Sequence, residues 1–361
     1  MTISAKTPLW SVLSPLLGMM TLILAFVAPP HTTITVLAVA TLIGTVFAAV
    51  YHAEVVAHRI GEPFGTLVLA VAVTVIEVAL ILSVMVSDPI GKSSLARDTV
   101  FAAVMIVCNG IVGISLLVGG VRHREQGFRV AGASAKLAVL APLTILTLIL
   151  PNVTVSTSGP TFTPAQLVFA GLVSLVLYGS FVFVQTIRHR DYFLPVTNPG
   201  DETLHAPPPP LMTAATSFAL LIFALAVVVG LAKGLTPALE TAIAAMNAPK
   251  AVVGIVIAGI VLLPEGLAAV RAARANRLQT SLNLALGSAL ASIGLTIPVV
   301  AALSIALGYP IQLGLNPKDM VLLLLTLLLG VVTLGTGTTT LLQGIVHLVV
   351  FAAFVFFAFV P

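Results

Sequence analysis

Stretches of about twenty apolar residues, long enough to cross a bilayer core as helices, recur along the chain. Short polar runs separate them and carry most of its charges. The pattern predicts eleven helical spans: Leu9–Ala28, Ile34–Val56, Phe64–Val86, Thr99–Val121, Val130–Leu150, Pro164–Ile187, Leu211–Leu231, Ala251–Val270, Leu278–Leu307, Met320–Leu334 and Thr338–Val360. Strands of a membrane barrel would be shorter and would alternate in polarity, and these segments do neither. The first is long for a signal-peptide core and no convincing cleavage site follows it, so it reads as a retained helix. Only "LGTGTTT" separates the last two. The longest polar stretch, "RHRDYFLPVTNPGDETLHAPPPP" from Arg188 to Pro210, divides the chain into six spans and five.

Composition agrees. Of 361 residues, 59% are hydrophobic and 8% charged, whereas a soluble domain carries about a quarter charged residues. This is the composition of an integral all-α membrane protein. The single cysteine, Cys108, excludes an internal disulfide. Lysine and arginine set the orientation. With a cytoplasmic N-terminus, Lys6, Arg59, Arg122, Arg124, Arg129, Lys136, Arg188, Arg190, Arg271, Arg274 and Arg277 fall inside. Lys92, Arg97, Lys233, Lys250 and Lys318 fall outside, which puts the C-terminus outside as well. The net charge of +4 therefore reflects topology, not affinity for nucleic acid.

An odd number of helices per half would turn the second half upside down, as in many secondary transporters. The expected organisation is an extra N-terminal helix (1–30), a five-helix repeat (31–188), a cytoplasmic linker (189–210) and an inverted five-helix repeat (211–361). "IGEPFGTLVLAVAVTVIEVAL" and "MNAPKAVVGIVIAGIVLLPEGLA" fall at corresponding places in the halves. Each has a proline near its start and one glutamate deep inside, Glu77 and Glu265.

An ionised side chain at bilayer depth costs at least about 2.5–3.5 kcal/mol, so such residues usually face an interior path and have a task. The plainer reading of either acid is a neutral carboxyl hydrogen-bonded to a neighbouring helix. Two carboxylates facing each other and both ionised in a low dielectric are prohibitive, so such a pair favours protonation or cation occupancy. If the protein changes sides only when the pair is neutralised, cation and proton must exchange. Calcium takes six to eight oxygens. Candidate supporting oxygens are the Ile260 carbonyl, whose helical donor Pro264 removes, and the side chains of Thr74, Asn109, Ser288 and Ser292. Each of these alone is more often a packing contact. His58, Glu54, Glu62 and Glu240 are candidate access residues, Glu240 in the loop before the eighth span. His52, Glu54 and His58 suggest zinc only superficially, because His52 and His58 stand six apart on a helix and point in different directions. His347 reads as an ordinary interhelical hydrogen-bonding residue.

The blocks "HAEVVAHRIGEPFGTLVLAVAVTVIEVALI", "MNAPKAVVGIVIAGIVLLPEGLAAVRAARANRLQTSLNLALGSALASIGLTIPVV" and "TGTTTLLQGIVHLVVF" resemble the calcium:cation antiporter superfamily, specifically its bacterial ChaA-type calcium(sodium)/proton antiporters. The resemblance implies eleven helices, inverted repeats and exchange of cytoplasmic calcium, with sodium or potassium as further cargo, for external protons. It maps the two motif acids onto Glu77 and Glu265. Many vacuolar-type relatives carry an Asn before each acid and a His after the second. Thr74, Leu262 and Gly266 stand near those places here, which leaves ion preference open among calcium, sodium and potassium. The absence of the long acidic insert of eukaryotic relatives points to a bacterial inner membrane. No cofactor is expected, and the partners are inorganic cations, protons and lipid. A cation channel and an intramembrane metalloenzyme built on His52 are the rival classes.

Overall fold

The computed structural model describes residues 7–27, 31–61, 64–85, 93–194, 208–246, 249, 251–309 and 311–360. Eleven helices run through them: α1 (Leu9–Val27), α2 (Thr32–Ile60), α3 (Phe64–Met85), α4 (Leu95–His123), α5 (Val130–Asn152), α6 (Pro164–Arg188), α7 (Leu211–Ala245), α8 (Ala251–Arg274), α9 (Leu278–Leu307), α10 (Pro317–Leu334) and α11 (Leu341–Phe359). Ten are long and apolar enough to span a membrane on their described residues. In α3 the apolar stretch counted is the shorter Ala70–Leu82. The protein is an all-α integral membrane protein, and the sequence pattern finds all eleven helices.

The exposed faces explain why. Along α10, Val321, Leu324, Leu328 and Val332 are exposed at a spacing of three to four residues, while Leu323, Thr326, Gly330 and Thr333 are buried. An apolar stripe turned outward suits lipid, because packing between membrane helices is not driven by expulsion of water. One boundary differs from the sequence reading by a wide margin. α7 continues to Ala245, so Glu240 lies on a helix and not in a loop. The residues after Leu231 are less apolar and include Gly234 and Pro237, weak helix formers, yet Thr236 and Ile243 stay buried along the same helix. Across Pro237, Thr236 and Thr241 return their hydroxyls to the carbonyls of Ala232 and Pro237, at 3.0 and 2.8 Å.

The helices form two compact units, Met1–Ser87 with Pro199–Asn247, and Asp88–Asn198 with Ala248–Pro361. Each half of the sequence contributes to both. In the first unit, α2 packs on α1, α3 and α7. His52, fully buried on α2, reaches the Ser11 carbonyl of α1 at 3.1 Å, and Trp10 meets Tyr51 edge-on.

The second unit holds α4, α5, α6, α8, α9, α10 and α11. Here α6 packs on α9 and α11 packs on α4, two contacts that an inverted repeat exchanges. The starts of α6 and α11 match too. Thr163 and Gln166, and Thr340 and Gln343, form the same reciprocal capping box. At one end, β1 (Glu125–Gly127), between α4 and α5, pairs antiparallel with β2 (Thr338–Thr340), between α10 and α11. The loops equivalent under the repeat, before α6 and before α10, join through a bridge between Thr161 and Gln312. The "LGTGTTT" break is thus a real boundary, where Gly337 turns at φ 79° into β2.

Buried polar groups fasten the same unit. Arg97 on α4 donates to the Gly314 carbonyl at 2.9 Å and pairs with Asp98. Lys136 on α5, 1% exposed, is held by the Asn283 amide oxygen of α9 and lies 5.1 Å from the Phe193 ring centre. Asn283 in turn donates to the Phe193 carbonyl at 2.6 Å, fixing the start of the interhalf connection. The rest of the expected linker, residues 195–207, lies outside the described residues.

The crossing of α4 and α11 depends on small residues. A Cβ on Gly344 would stand 2.5 Å from the Leu117 backbone nitrogen, and one on Gly120 would stand 2.5 Å from that of Leu341. Gly344→Ala is expected to lower stability by about 1–3 kcal/mol. Gly179→Ala, which meets nothing within 4 Å, is expected to be neutral or to add up to about 1 kcal/mol. Thermal unfolding in detergent compares the two.

Candidate functional site

Glu77 sits in the middle of α3, whose flanking turns offer almost only Val, Ala, Ile and Leu, and is 2% exposed. Thr74 is buried one helical turn earlier, at 6% exposure. Both belong to the first unit, as do Glu54, His58 and Glu240.

In the second unit, Glu265 lies on α8 at 9% exposure, directly after Pro264. The helix runs through this proline without interruption. Proline has no backbone N–H, so the Ile260 carbonyl loses its usual donor while the helix keeps its course. α8 packs against α9, which carries Ser288, half-buried, and Ser292, 2% exposed. Both helices also pack on α4, where the chain widens into a π-helical turn over Ile106–Ile111. The second unit thus gathers Glu265, Ile260, Ser288, Ser292 and Asn109 on three mutually packed helices.

Asn109, fully buried, stands in that turn and belongs to a polar chain that the sequence pattern does not reveal. Its amide nitrogen donates to Thr326 Oγ1 on α10 at 2.8 Å, and its oxygen lies 3.1 Å from His347 Nδ1 on α11. Thr326 commits its one hydroxyl proton to the Leu322 carbonyl at 2.7 Å. It must therefore accept from Asn109, which fixes the amide orientation and leaves Oδ1 facing His347. The imidazole then carries its hydrogen on Nδ1 and accepts at Nε2 from the Thr333 hydroxyl, 3.1 Å away. His347, 1% exposed, is the interhelical hydrogen-bonding residue expected of it. Thr326 and Thr333 had one legible sign, lone hydroxyls inside apolar text.

The remaining candidates are scattered. Glu54 is exposed on α2 and His58 half-buried. His52 faces α1 through Ser11, not Glu54. Among the described residues no group of three or more His, Cys, Asp or Glu is placed to hold a metal ion. Glu62 lies outside the described residues.

Eleven helices with matched loop closures at the two ends of one unit describe an integral membrane protein built on an internal repeat. The family model described as sodium/calcium exchanger protein matches residues 30–187 and 216–360. A putative ionic transporter, y4hA, of Sinorhizobium fredii is 52% identical over 99% of this chain and 98% of its own. The sodium-potassium/proton antiporter ChaA of Escherichia coli is 34% identical over 95% and 94%. Among solved structures, native YfkE superposes with a TM-score of 0.76 at 16% identity, over 98% of this chain and all of that one. The chain belongs to the sodium/calcium exchanger family.

Thr326→Val leaves the Asn109 amide nitrogen only the Met105 sulfur, 3.8 Å away, as acceptor and is expected to cost about 1–3 kcal/mol. Thr144→Val removes a hydroxyl that serves only carbonyls of its own helix, Leu140 and Ala141, and is expected to cost less than about 1 kcal/mol. Thermal unfolding in detergent again measures the difference.

Proposed function

We propose that the protein is a cation/proton antiporter of a bacterial inner membrane, N-terminus cytoplasmic, which exports cytoplasmic cation in exchange for external protons. Glu77 and Glu265 are the exchanging groups. The observation that carries this reading is the burial of one carboxylate in each half, 2% and 9% exposed, within helices that are otherwise apolar. Ions at that depth are costly unless a cation or a proton neutralises them. A carboxylate that changes sides only when neutral exchanges one for the other. In this reading Thr74 is a further oxygen in the first unit, the Ile260 carbonyl, Ser288 and Ser292 are further oxygens in the second, and Glu54, His58 and Glu240 are access residues.

Sodium and potassium are the preferred cargo in this reading. The relative named for them is 34% identical over 95% of the chain, whereas the Ca(2+)/H(+) antiporter of Aphanothece halophytica is 24% identical over 75%. With neither an Asn nor a His beside either acid in the sequence, each offers fewer oxygens than the six to eight that calcium usually takes. Calcium is the second reading, favoured by the helical framework shared with the H+/Ca2+ exchanger CAX, TM-score 0.70.

Everted vesicles loaded with a pH-sensitive dye test this directly. Adding sodium, potassium or calcium is expected to release trapped protons, and either Glu77→Gln or Glu265→Gln to abolish the response. Because protons compete with cation for the same carboxylates, the half-saturating cation concentration should fall as pH rises. Proton release that survives both substitutions, or a half-saturating concentration independent of pH, refutes the assignment.

A further inference from the structure

The π-helical turn of α4 has no local cause in the sequence. "IVCNGI" contains no proline, and an ordinary α-helix would accommodate it. Among the described residues it is also the one π-turn inside a helix. The others, Ile145–Ile149 and Val184–Arg188, close the last turns of α5 and α6, whereas α4 continues from Val112 to His123. A π-turn is less favourable than the α-helix around it and persists where tertiary contacts impose it. Here the imposing contacts are visible. Asn109, at its centre, is held from two directions, by Thr326 of α10 at 2.8 Å and by His347 of α11 at 3.1 Å. His347 is fixed by Thr333 at 3.1 Å, and the contacts of Gly344 and Gly120 bring α11 close enough to reach.

The far side of the same turn faces the helix of the second acid. A Cβ added to Gly266, the residue after Glu265, would stand 3.1 Å from Ile111 Cδ1 and 3.2 Å from its Cγ1. The turn therefore lies between the polar chain on one side and the Glu265 segment on the other. Because the interior is close-packed, a shift of the turn must be met by a shift of α8 at Glu265.

From this we infer that His347 is a positioning residue for cation binding: through Asn109 it holds the π-turn of α4 in the shape against which Glu265 is set. This rests on Glu265 as an exchanging group. It gives Asn109 a structural task, with its amide nitrogen committed to Thr326 and its oxygen to His347. The mechanism uses the imidazole as a directional donor, so its operation depends on hydrogen bonds and not on a change of charge at His347.

The same vesicle assay tests it, reading half-saturating sodium concentration and maximal rate separately, with thermal unfolding of each purified variant alongside. His347→Leu and Asn109→Leu are each expected to raise the half-saturating concentration about tenfold, the range typical of residues that orient ligands without touching the ion. The double variant should be no worse than His347→Leu alone, since the imidazole holds the turn through Asn109 and through the Cys108 backbone, and losing it cuts both. His347→Asn, which offers an amide donor in place of Nδ1–H, should restore affinity to within about twofold of wild type. Thr333→Val, a milder change at the far end of the chain, should raise the concentration in the same direction by less, and stands in if His347→Leu fails to fold. A purely structural role would lower unfolding temperature and maximal rate while leaving half-saturation unchanged. That result overturns the inference, as does additivity in the double variant or failure of His347→Asn to rescue. If Glu265→Gln still exchanges, the reading of the site fails and this inference falls with it. If Glu265→Gln is dead while His347→Leu keeps wild-type affinity, the positioning role alone is wrong.

Discussion

Within a bilayer's hydrocarbon no water compensates a polar group, so every amide, imidazole or ammonium placed there must find its partner in the protein. That demand organises the second unit. Asn109 joins three helices because both ends of its amide need satisfying. Lys136 draws together α5, α9 and the segment after α6, using an amide oxygen and an aromatic face in place of a counter-ion. Arg97 spans from α4 to the loop before α10 for the same reason. These are the links that make a bundle of lipid-compatible helices pack in one way, since apolar surfaces alone choose poorly among neighbours in a lipid solvent.

Glu77 and Glu265 meet the same demand as carboxyl groups. Each is the one charge in its apolar run, and both are buried, 2% and 9% exposed. An ionised carboxylate at that depth is costly, so how each acid is neutralised is coupled to how its helix packs.

Much of this was legible in the text of the chain. The helices announce themselves because each apolar run is closed by charge, proline or glycine, and the acids stand out because each is the one charge in its run. Other features are not written locally. α7 extends past Leu231 although hydropathy drops and Gly234 and Pro237 follow, because Thr236 and Ile243 stay buried in the bundle. The polar chain joins residues 217 and 238 positions apart, a distance no motif spans. The π-turn is imposed by those remote partners, so "IVCNGI" looks like ordinary helix. The division into compact units is likewise invisible, since each unit takes helices from both halves. Glu54 and His52 show the opposite error that a motif invites, being close in sequence while His52 turns to α1.

The two loop closures of the second unit carry a mechanical consequence. Short antiparallel pairing of β1 with β2 at one end is answered by the Thr161–Gln312 bridge at the other, between loops that correspond under the repeat. Each closure ties a loop of one half of the sequence to a loop of the other, so neither end of the unit can splay its halves apart without breaking a backbone pairing.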